Sequence, residues 1–301
     1  MGEKLALHPD IAINRSLTEA AWSVLGEARA PLADGTMADA KVVHDVRKAL
    51  KRWRALLRLI GPLVDEEQAD QLRIRARDLA RGLAGARDPR SALDALADVA
   101  EIAPKISVRS LETIRSKLDR LRAAAEAKIL TDKMRAHLGA EFAEIAETIA
   151  GWSFGDPKFN AVADSLTKTY HRARRAIPED WATAKAEDLH DLRKRVVEHR
   201  YQMELLEPLW PKLGRVWVSE AQRLRDRLGR HHDLTILTVL MRPKKALASW
   251  QPRLGPIVRE RQREHARTAA RLAGRLFAEK PSAFRARLMR LWESRTEALV
   301  D

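Results

Sequence analysis

The same cationic segment occurs twice in this chain, 146 residues apart. Residues 42–64 read VVHDVRKALKRWRALLRLIGPLV, and residues 188–210 read DLHDLRKRVVEHRYQMELLEPLW. Both copies contain His-Asp-x-Arg-Lys, and both reach Pro-Leu at the same distance from the His. A repeat period of 146 residues is far longer than a solenoid unit, so the duplication predicts two copies of one helical bundle.

A second pair of segments supports the duplication. LARGLAGARD at residues 79–88 resembles LRDRLGRHHD at residues 224–233, one position out of the first register. Apolar residues recur at three- and four-residue spacing along the chain, which is typical of helices. We therefore predict an all-α fold of two pseudo-symmetric four-helix bundles, with repeats at residues 8–152 and 153–301 and a linker within residues 151–159.

The charge balance of the chain points to an anionic partner. Of the 301 residues, 33% are charged and 45% are hydrophobic, and the formal net charge is +14. Such an excess suits nucleic acid, an anionic membrane surface or a phosphate polymer. The absence of cysteine excludes disulfides and thiolate zinc sites. No apolar run predicts a signal peptide or a membrane span, so we expect a cytoplasmic protein.

The first copy of the repeated segment carries its cations on one helical face. At about 100° per residue, the basic residues fall within a sector of about 120°, opposite an apolar face. A solvated helix face usually mixes charge signs, because like charges at i,i+4 repel. This sector contains no carboxylate and therefore predicts an anion-binding face formed by His44, Arg47, Lys48, Lys51, Arg54 and Arg58.

The second copy repeats part of this face, and neighbouring helices extend it. Basic residues spaced by three or four lie about 6 Å apart along a helix, which suits successive phosphates of a polyanion. The candidates in the second copy are His190, Arg193, Lys194 and Arg200, those on the next helix are Arg223, Arg227 and Arg230, and those in the first half are Arg77 and Arg81. His231 and His232 precede Asp233 at a predicted helix end.

The doubled His-Asp-x-Arg-Lys helix and the later Leu-Gly/Ala…Asp segments resemble the CHAD family, the conserved histidine α-helical domain. The resemblance implies a basic cleft that binds inorganic polyphosphate. Because the sequence offers no carboxylate cluster for a metal ion and no nucleophile–base arrangement, we expect no catalysis and no cofactor. It also implies localisation at polyphosphate or polyhydroxyalkanoate granules for some members. The implied contacts are His44, Arg47, Lys48, Lys51, Arg54, His190, Arg193, Lys194 and Arg200. Where the family often has Arg-Asp-x-Asp, this chain has Arg90 and Thr235 at the last position, and His232 replaces the Arg of the second copy.

Two other functions compete with polyphosphate binding. His-Asp dipeptides on helices also occur in metal-dependent phosphohydrolases, but the cations beside His44 would repel a divalent metal ion. A nucleic-acid partner would use the same charges, yet the sequence contains no recognition motif, and only five Phe and two Tyr accompany the eight Trp for base stacking. The sequence indicates neither the oligomeric state nor the length of the bound polyanion.

Overall fold

The computed structural model describes residues 6–85, 87–102, 106–126 and 128–297, and within these ranges the chain is all α, with eleven α-helices and no strand. The helices are α1 (Ile13–Ala33), α2 (Asp39–Ile60), α3 (Glu66–Gly82), α4 (Arg87–Ala100), α5 (Val108–Glu126), α6 (Asp132–Ala150), α7 (Phe159–Arg175), α8 (Ala186–Leu205), α9 (Pro211–Leu240), α10 (Gln251–Leu276) and α11 (Pro281–Glu297). The predicted all-α class is confirmed.

Local sequence signals set several of the helix ends. The side chain of Asp65 accepts a hydrogen bond from the backbone N–H of Gln68 and caps the start of α3, and Thr131 caps α6 through Met134 N. Pro211 occupies the first turn of α9, where its missing N–H costs nothing. The predicted helix end near His231 is wrong, because α9 continues without a break to Leu240.

Helix α2 lies at the centre of the fold. It packs against α1, α3, α7 and α8. The predicted apolar face is buried, with Val46, Leu50, Trp53 and Leu57 each at most 3% exposed. His44 and Lys48 on the opposite side are exposed. The amphipathic pattern of this helix therefore orients its cationic face away from the core.

The apolar cores combine side chains from both sequence halves. The larger core contains residues of α1, α2, α3 and α6 together with residues of α7 to α11. The smaller core joins Ala92 of α4 and Ile114 of α5 to Leu234 of α9 and Leu254 of α10. Helix α4, from the first half, thus packs against α9 and α10 of the second. The division into two pseudo-symmetric repeats stays a prediction.

None of the helices in the described part of the chain combines the length and the apolar character needed to span a lipid bilayer.

The buried His199 and the half-buried His231 should make the fold sensitive to mild acid. Burial, and secondarily Arg287, lowers the pKa of His199 to about 3; burial, and secondarily His265, lowers that of His231 to about 4. Both rings are neutral in the folded state near pH 5, whereas the unfolded chain protonates them below about 6.5. The unfolded state then binds more protons, so stability is lost as pH falls below 6.5.

We expect the free energy of unfolding to fall by about 1.5 kcal/mol per histidine between pH 6.5 and pH 5. Urea unfolding across this range would measure the effect, above the pH at which most carboxylates protonate. His199 lies among the rings of Tyr170, Trp217, Phe277 and Phe284, so His199→Leu keeps an apolar filling and should remove about half of the pH dependence. An unchanged slope in this variant would contradict the assignment.

Candidate functional site

A cleft of about 780 Å³ opens between α2, α4, α8 and α9. Its volume falls within the range of ordinary ligand sites in proteins. Cationic side chains come from all four helices: His44, Arg47, Lys48 and Lys51 from α2, Arg90 from α4, Arg193 and Arg200 from α8, and Arg225 and Arg230 from α9. The cleft therefore joins the two sequence copies of the cationic helix in one site.

The α2 wall of the cleft is held in place by a backbone contact. Arg47 Nη1 donates a hydrogen bond to the carbonyl oxygen of Leu83, 2.6 Å away, just after the end of α3. This bond ties the cationic face of α2 to the connection that leads into α4. Lys48 is exposed, and no hydrogen bond or ion pair joins it to other described residues. Arg47 thus has a structural contact, while Lys48 is open to a ligand.

The α8 wall depends on a close approach to α9. A Cβ atom added at Gly229 would lie 3.4 Å from Arg193 Nη2, so the glycine provides room for the Arg193 side chain to lie against α9. Arg200 lies with its guanidinium carbon 4.2 Å from the centre of the Tyr201 ring. It also forms an ion pair with Glu204. These contacts hold two cations of the second copy at the cleft.

Helices α4 and α9 add cations that the helical periodicity of α2 and α8 does not indicate. Arg90 is exposed in the first turn of α4 and lines the cleft, although the sequence suggests only that it replaces an Asp. Arg230 faces the cleft and also lies 3.4 Å from the buried Asp98. Asp98 is held by Arg261 at 2.8 Å and by His265 at 2.7 Å. This buried network anchors the α9 side of the cleft.

Carboxylates also line the cleft, namely Asp39, Asp94, Glu126, Asp226 and Asp233. Asp39 belongs to α2 itself, so the predicted carboxylate-free face holds for the cations from His44 to Arg58 and not for the assembled site. Asp226 accepts hydrogen bonds from Gln222 at 2.8 Å and from Arg225 at 2.6 Å, which partly neutralises Arg225. Lys and Arg still outnumber Asp and Glu around the cleft, so its net charge is positive.

The pKa of His44 lies below its usual value. Desolvation of the ring by neighbouring protein atoms is the main cause; Asp45 opposes it, and the charges of Arg90 and Lys51 lower the pKa further. The ring is thus neutral at neutral pH in the ligand-free protein. A bound anion would offset the repulsion from the neighbouring cations and favour the protonated ring.

The cleft brings together seven of the fifteen residues predicted for the site: His44, Arg47, Lys48, Lys51, Arg193, Arg200 and Arg230. The other eight lie outside its lining. These are Arg54, Arg58, Arg77, Arg81, His190, Lys194, Arg223 and Arg227. A role for these eight in polyphosphate binding stays a prediction.

Several of the residues outside the cleft have protein partners. Arg77 lies 3.0 Å from Asp78, and Lys194 lies 2.8 Å from Asp191. His190 stacks on His232, with 4.3 Å between the ring centres. Arg81, also on α3, lies 3.5 Å from Asp78. On α9, Arg223 pairs with Glu220 at 2.5 Å, and Arg227 lies 3.4 Å from His265 Nδ1.

The last two cations of α2 point to a different environment. Gln202 of α8 donates a hydrogen bond to the carbonyl oxygen of Ala55 at 2.9 Å, which marks where α8 crosses α2. Beyond this crossing, Arg58 lies 3.4 Å from the buried Glu198. The pKa of Arg54 is lowered, chiefly by burial and also by the neighbouring Arg73. The cationic face of α2 therefore extends beyond the lining of the cleft.

Among the residues that the structure describes, no group of three or more His, Asp or Glu side chains is placed to hold a metal ion. The carboxylates of the two His-Asp dipeptides have other partners. Asp45 pairs with Lys41, and Asp191 pairs with Lys194.

Comparison with known proteins places the chain in a family. The family model described as the CHAD domain matches residues 19–242. Because this match covers most of the chain, the protein belongs to the CHAD-domain family. No curated protein matches the chain.

Two solved structures show a similar fold. The crystal structure of the CHAD domain from the plant Ricinus communis is 22% identical, with a TM-score of 0.55 and coverage of 95% of both chains. PptA from Streptomyces chartreusis is 16% identical, with a TM-score of 0.62 and coverage of 88% of this chain and 100% of the other.

Proposed function

We propose that this protein binds inorganic polyphosphate in the cleft between α2, α4, α8 and α9 and leaves it intact. The observation that carries the proposal is the convergence of cations from both copies of the repeated helix on one open cleft. Side chains such as Lys48, Arg90 and Arg193 offer N–H donors over a continuous surface, which suits a chain of phosphates. Membership of the CHAD-domain family supports the same ligand.

The lining of the cleft favours a phosphate polymer over single-stranded nucleic acid. Non-specific binding of single strands relies on aromatic rings on which bases stack. Tyr201 is the one Phe, Tyr or Trp among the residues that line the cleft, and the guanidinium of Arg200 covers its ring. The site thus offers charge without a stacking surface, which matches a ligand that has no bases.

The absence of catalysis is part of the proposal. A metal-dependent phosphohydrolase would need the Asp of each His-Asp dipeptide to face a metal ion, whereas Asp45 and Asp191 each pair with a lysine of their own helix. Attachment to polyphosphate or polyhydroxyalkanoate granules stays a prediction.

Incubation of the purified protein with long-chain polyphosphate and Mg²⁺ or Mn²⁺ should show binding and no release of orthophosphate. Phosphate release that disappears in Asp45→Asn or Asp191→Asn would show that the protein is an enzyme.

A competition at about 0.15 M salt tests the choice of ligand. Both polyanions contact the same cations, but the cleft offers no surface on which bases could stack, so polyphosphate should displace single-stranded DNA of equal phosphate concentration. Preferential retention of DNA would contradict the proposed ligand.

Affinity for long polyphosphate should rise as pH falls from about 7.5 to about 5.5. His44 is neutral at the upper pH and is favoured as a cation beside bound phosphate, so ligand binding raises its pKa. Each unit of that increase corresponds to a gain in affinity of up to about tenfold at low pH. Titrations at fixed ionic strength should show this gain in the wild type, and His44→Gln should remove it. An equal gain in both proteins would assign the effect to another group.

A further inference from the structure

A second cationic cavity, of about 200 Å³, lies between the end of α2, the start of α3 and α7. It shares no lining residue with the cleft. Its cations are Arg58, Arg73, Lys168 and Arg172; the carboxylates at its wall are Glu66 and Asp70, and Ser165 contributes a hydroxyl group. Lys168, Arg172 and Ser165 come from α7, which the sequence does not assign to any site.

The cations of this cavity are incompletely neutralised by the protein. Arg58 lies 3.4 Å from Glu198, but the same carboxylate oxygen also lies 3.4 Å from Arg195. Arg172 donates a hydrogen bond to the hydroxyl of Thr169, a neutral group. Lys168 is exposed, and no ion pair or hydrogen bond joins it to other described residues. Only Arg73 has a carboxylate to itself, that of Asp70.

The arginines are also poorly solvated. The Nε atom of Arg172 is buried and makes no hydrogen bond within the described chain, and the buried Nε of Arg58 has only the shared Glu198 carboxylate nearby, at 3.4 Å. Burial lowers the pKa of Arg58 to about 10; Glu198 opposes this effect, and Arg172 and Arg73 add to it. The pKa of Arg172 is lowered for the same reason, with burial again the largest cause. Charges that are partly withdrawn from water are usually paired in proteins, so this cluster of half-buried arginines favours an anionic ligand.

We infer that this cavity binds a compact phosphate dianion, either free orthophosphate or the terminal phosphoryl group of a phosphate chain. Planar guanidinium groups on Arg58 and Arg172 match the geometry of phosphate oxygens, and Lys168 adds a flexible ammonium group. The small volume suits one phosphoryl group, whereas the cleft is almost four times larger. The inference goes beyond the proposed function, because it holds whatever ligand the cleft takes.

Calorimetric titration with inorganic phosphate at constant ionic strength tests this site. The wild type should show one saturable site, and Lys168→Glu should weaken it at least tenfold, because the substitution replaces an attractive charge with a repulsive one. Lys168 is exposed, so the fold should tolerate the change. Arg172→Gln, which removes a positive charge without adding a negative one, serves as a second variant and should also weaken binding.

Two control proteins make the result specific. Lys117→Glu changes an exposed cation on α5, and Lys48→Glu/Arg90→Glu changes the cleft; both should keep the phosphate affinity within about twofold. The inference is overturned if the wild type shows no saturable phosphate binding, if Lys168→Glu and Arg172→Gln bind like the wild type, or if the cleft variant alone loses the site. A wild-type protein that binds orthophosphate in this cavity but does not bind long-chain polyphosphate would instead count against the function proposed for the cleft.

Competition identifies the source of the phosphoryl group. If the cavity takes chain ends, tripolyphosphate should displace bound orthophosphate from Lys48→Glu/Arg90→Glu, in which the cleft is disabled. If it takes free orthophosphate alone, tripolyphosphate should leave the orthophosphate bound. Either result supports the site, provided that Lys168→Glu weakens the binding of orthophosphate at least tenfold.

Discussion

Replacing Lys48 and Arg90 together with Glu is expected to reduce the affinity for long-chain polyphosphate by at least about 100-fold. Each charge-assisted hydrogen bond contributes about 1.5–3 kcal/mol, and each reversal also adds a repulsive charge. The two residues face the cleft from α2 and α4, and both are exposed. Arg47 and Arg193 are less suitable for this test, because they contact Leu83 and Gly229.

The matched control is Arg115→Glu/Lys117→Glu on α5. Both residues are exposed, and neither lines the cleft. This variant has the same net charge change, so a nonspecific effect of charge would weaken binding equally in the two proteins. Fluorescence or filter-binding titrations with circular dichroism at 222 nm would separate loss of affinity from loss of fold. Equal affinities in the two variants would exclude the cleft as the binding site.

Polyphosphate affinity is also expected to fall by about 100-fold or more when salt rises from 50 mM to 200 mM. Binding that neutralises about six phosphates releases a similar number of counterions, and the logarithm of affinity then falls linearly with the logarithm of salt concentration. Lys48→Glu/Arg90→Glu should show a shallower slope, because fewer phosphates are neutralised. An affinity that is indifferent to salt would indicate recognition by shape or by neutral groups.

Chain length should have a comparable effect. A short phosphate touches one wall of the cleft, whereas a long chain reaches the cations of α2 and those of α8 and α9 in a single bound state. The second contact is then intramolecular, and its effective concentration raises the overall affinity. Titration with chains of graded length should show a steep increase, followed by a plateau once both walls are occupied.

The sequence by itself determined the helices and the cationic faces. Spacings of three and four residues reflect contacts within one helix, so the buried Val46 and Leu50 and the exposed Lys48 of α2 follow from the local pattern. The doubled His-Asp-x-Arg-Lys segment was enough to indicate the family, which the CHAD-domain match confirms. The predicted helix end near His231 failed because α9 continues to Leu240, and Leu234 and Leu237 beyond His231 pack into the smaller core with residues distant in sequence.

Only the tertiary structure decided which cations share a site. Helix α4 packs on α9, with Ala92 and Leu234 in the same apolar core, and this long-range packing brings Arg90 to the cleft. Helix α8 crosses α2 at Ala55, which separates the cations before the crossing from Arg58 beyond it. Helix periodicity shows which way a side chain faces on its own helix. Adjacency between helices depends on packing across the whole core, among residues that are distant in sequence, and no local spacing encodes it.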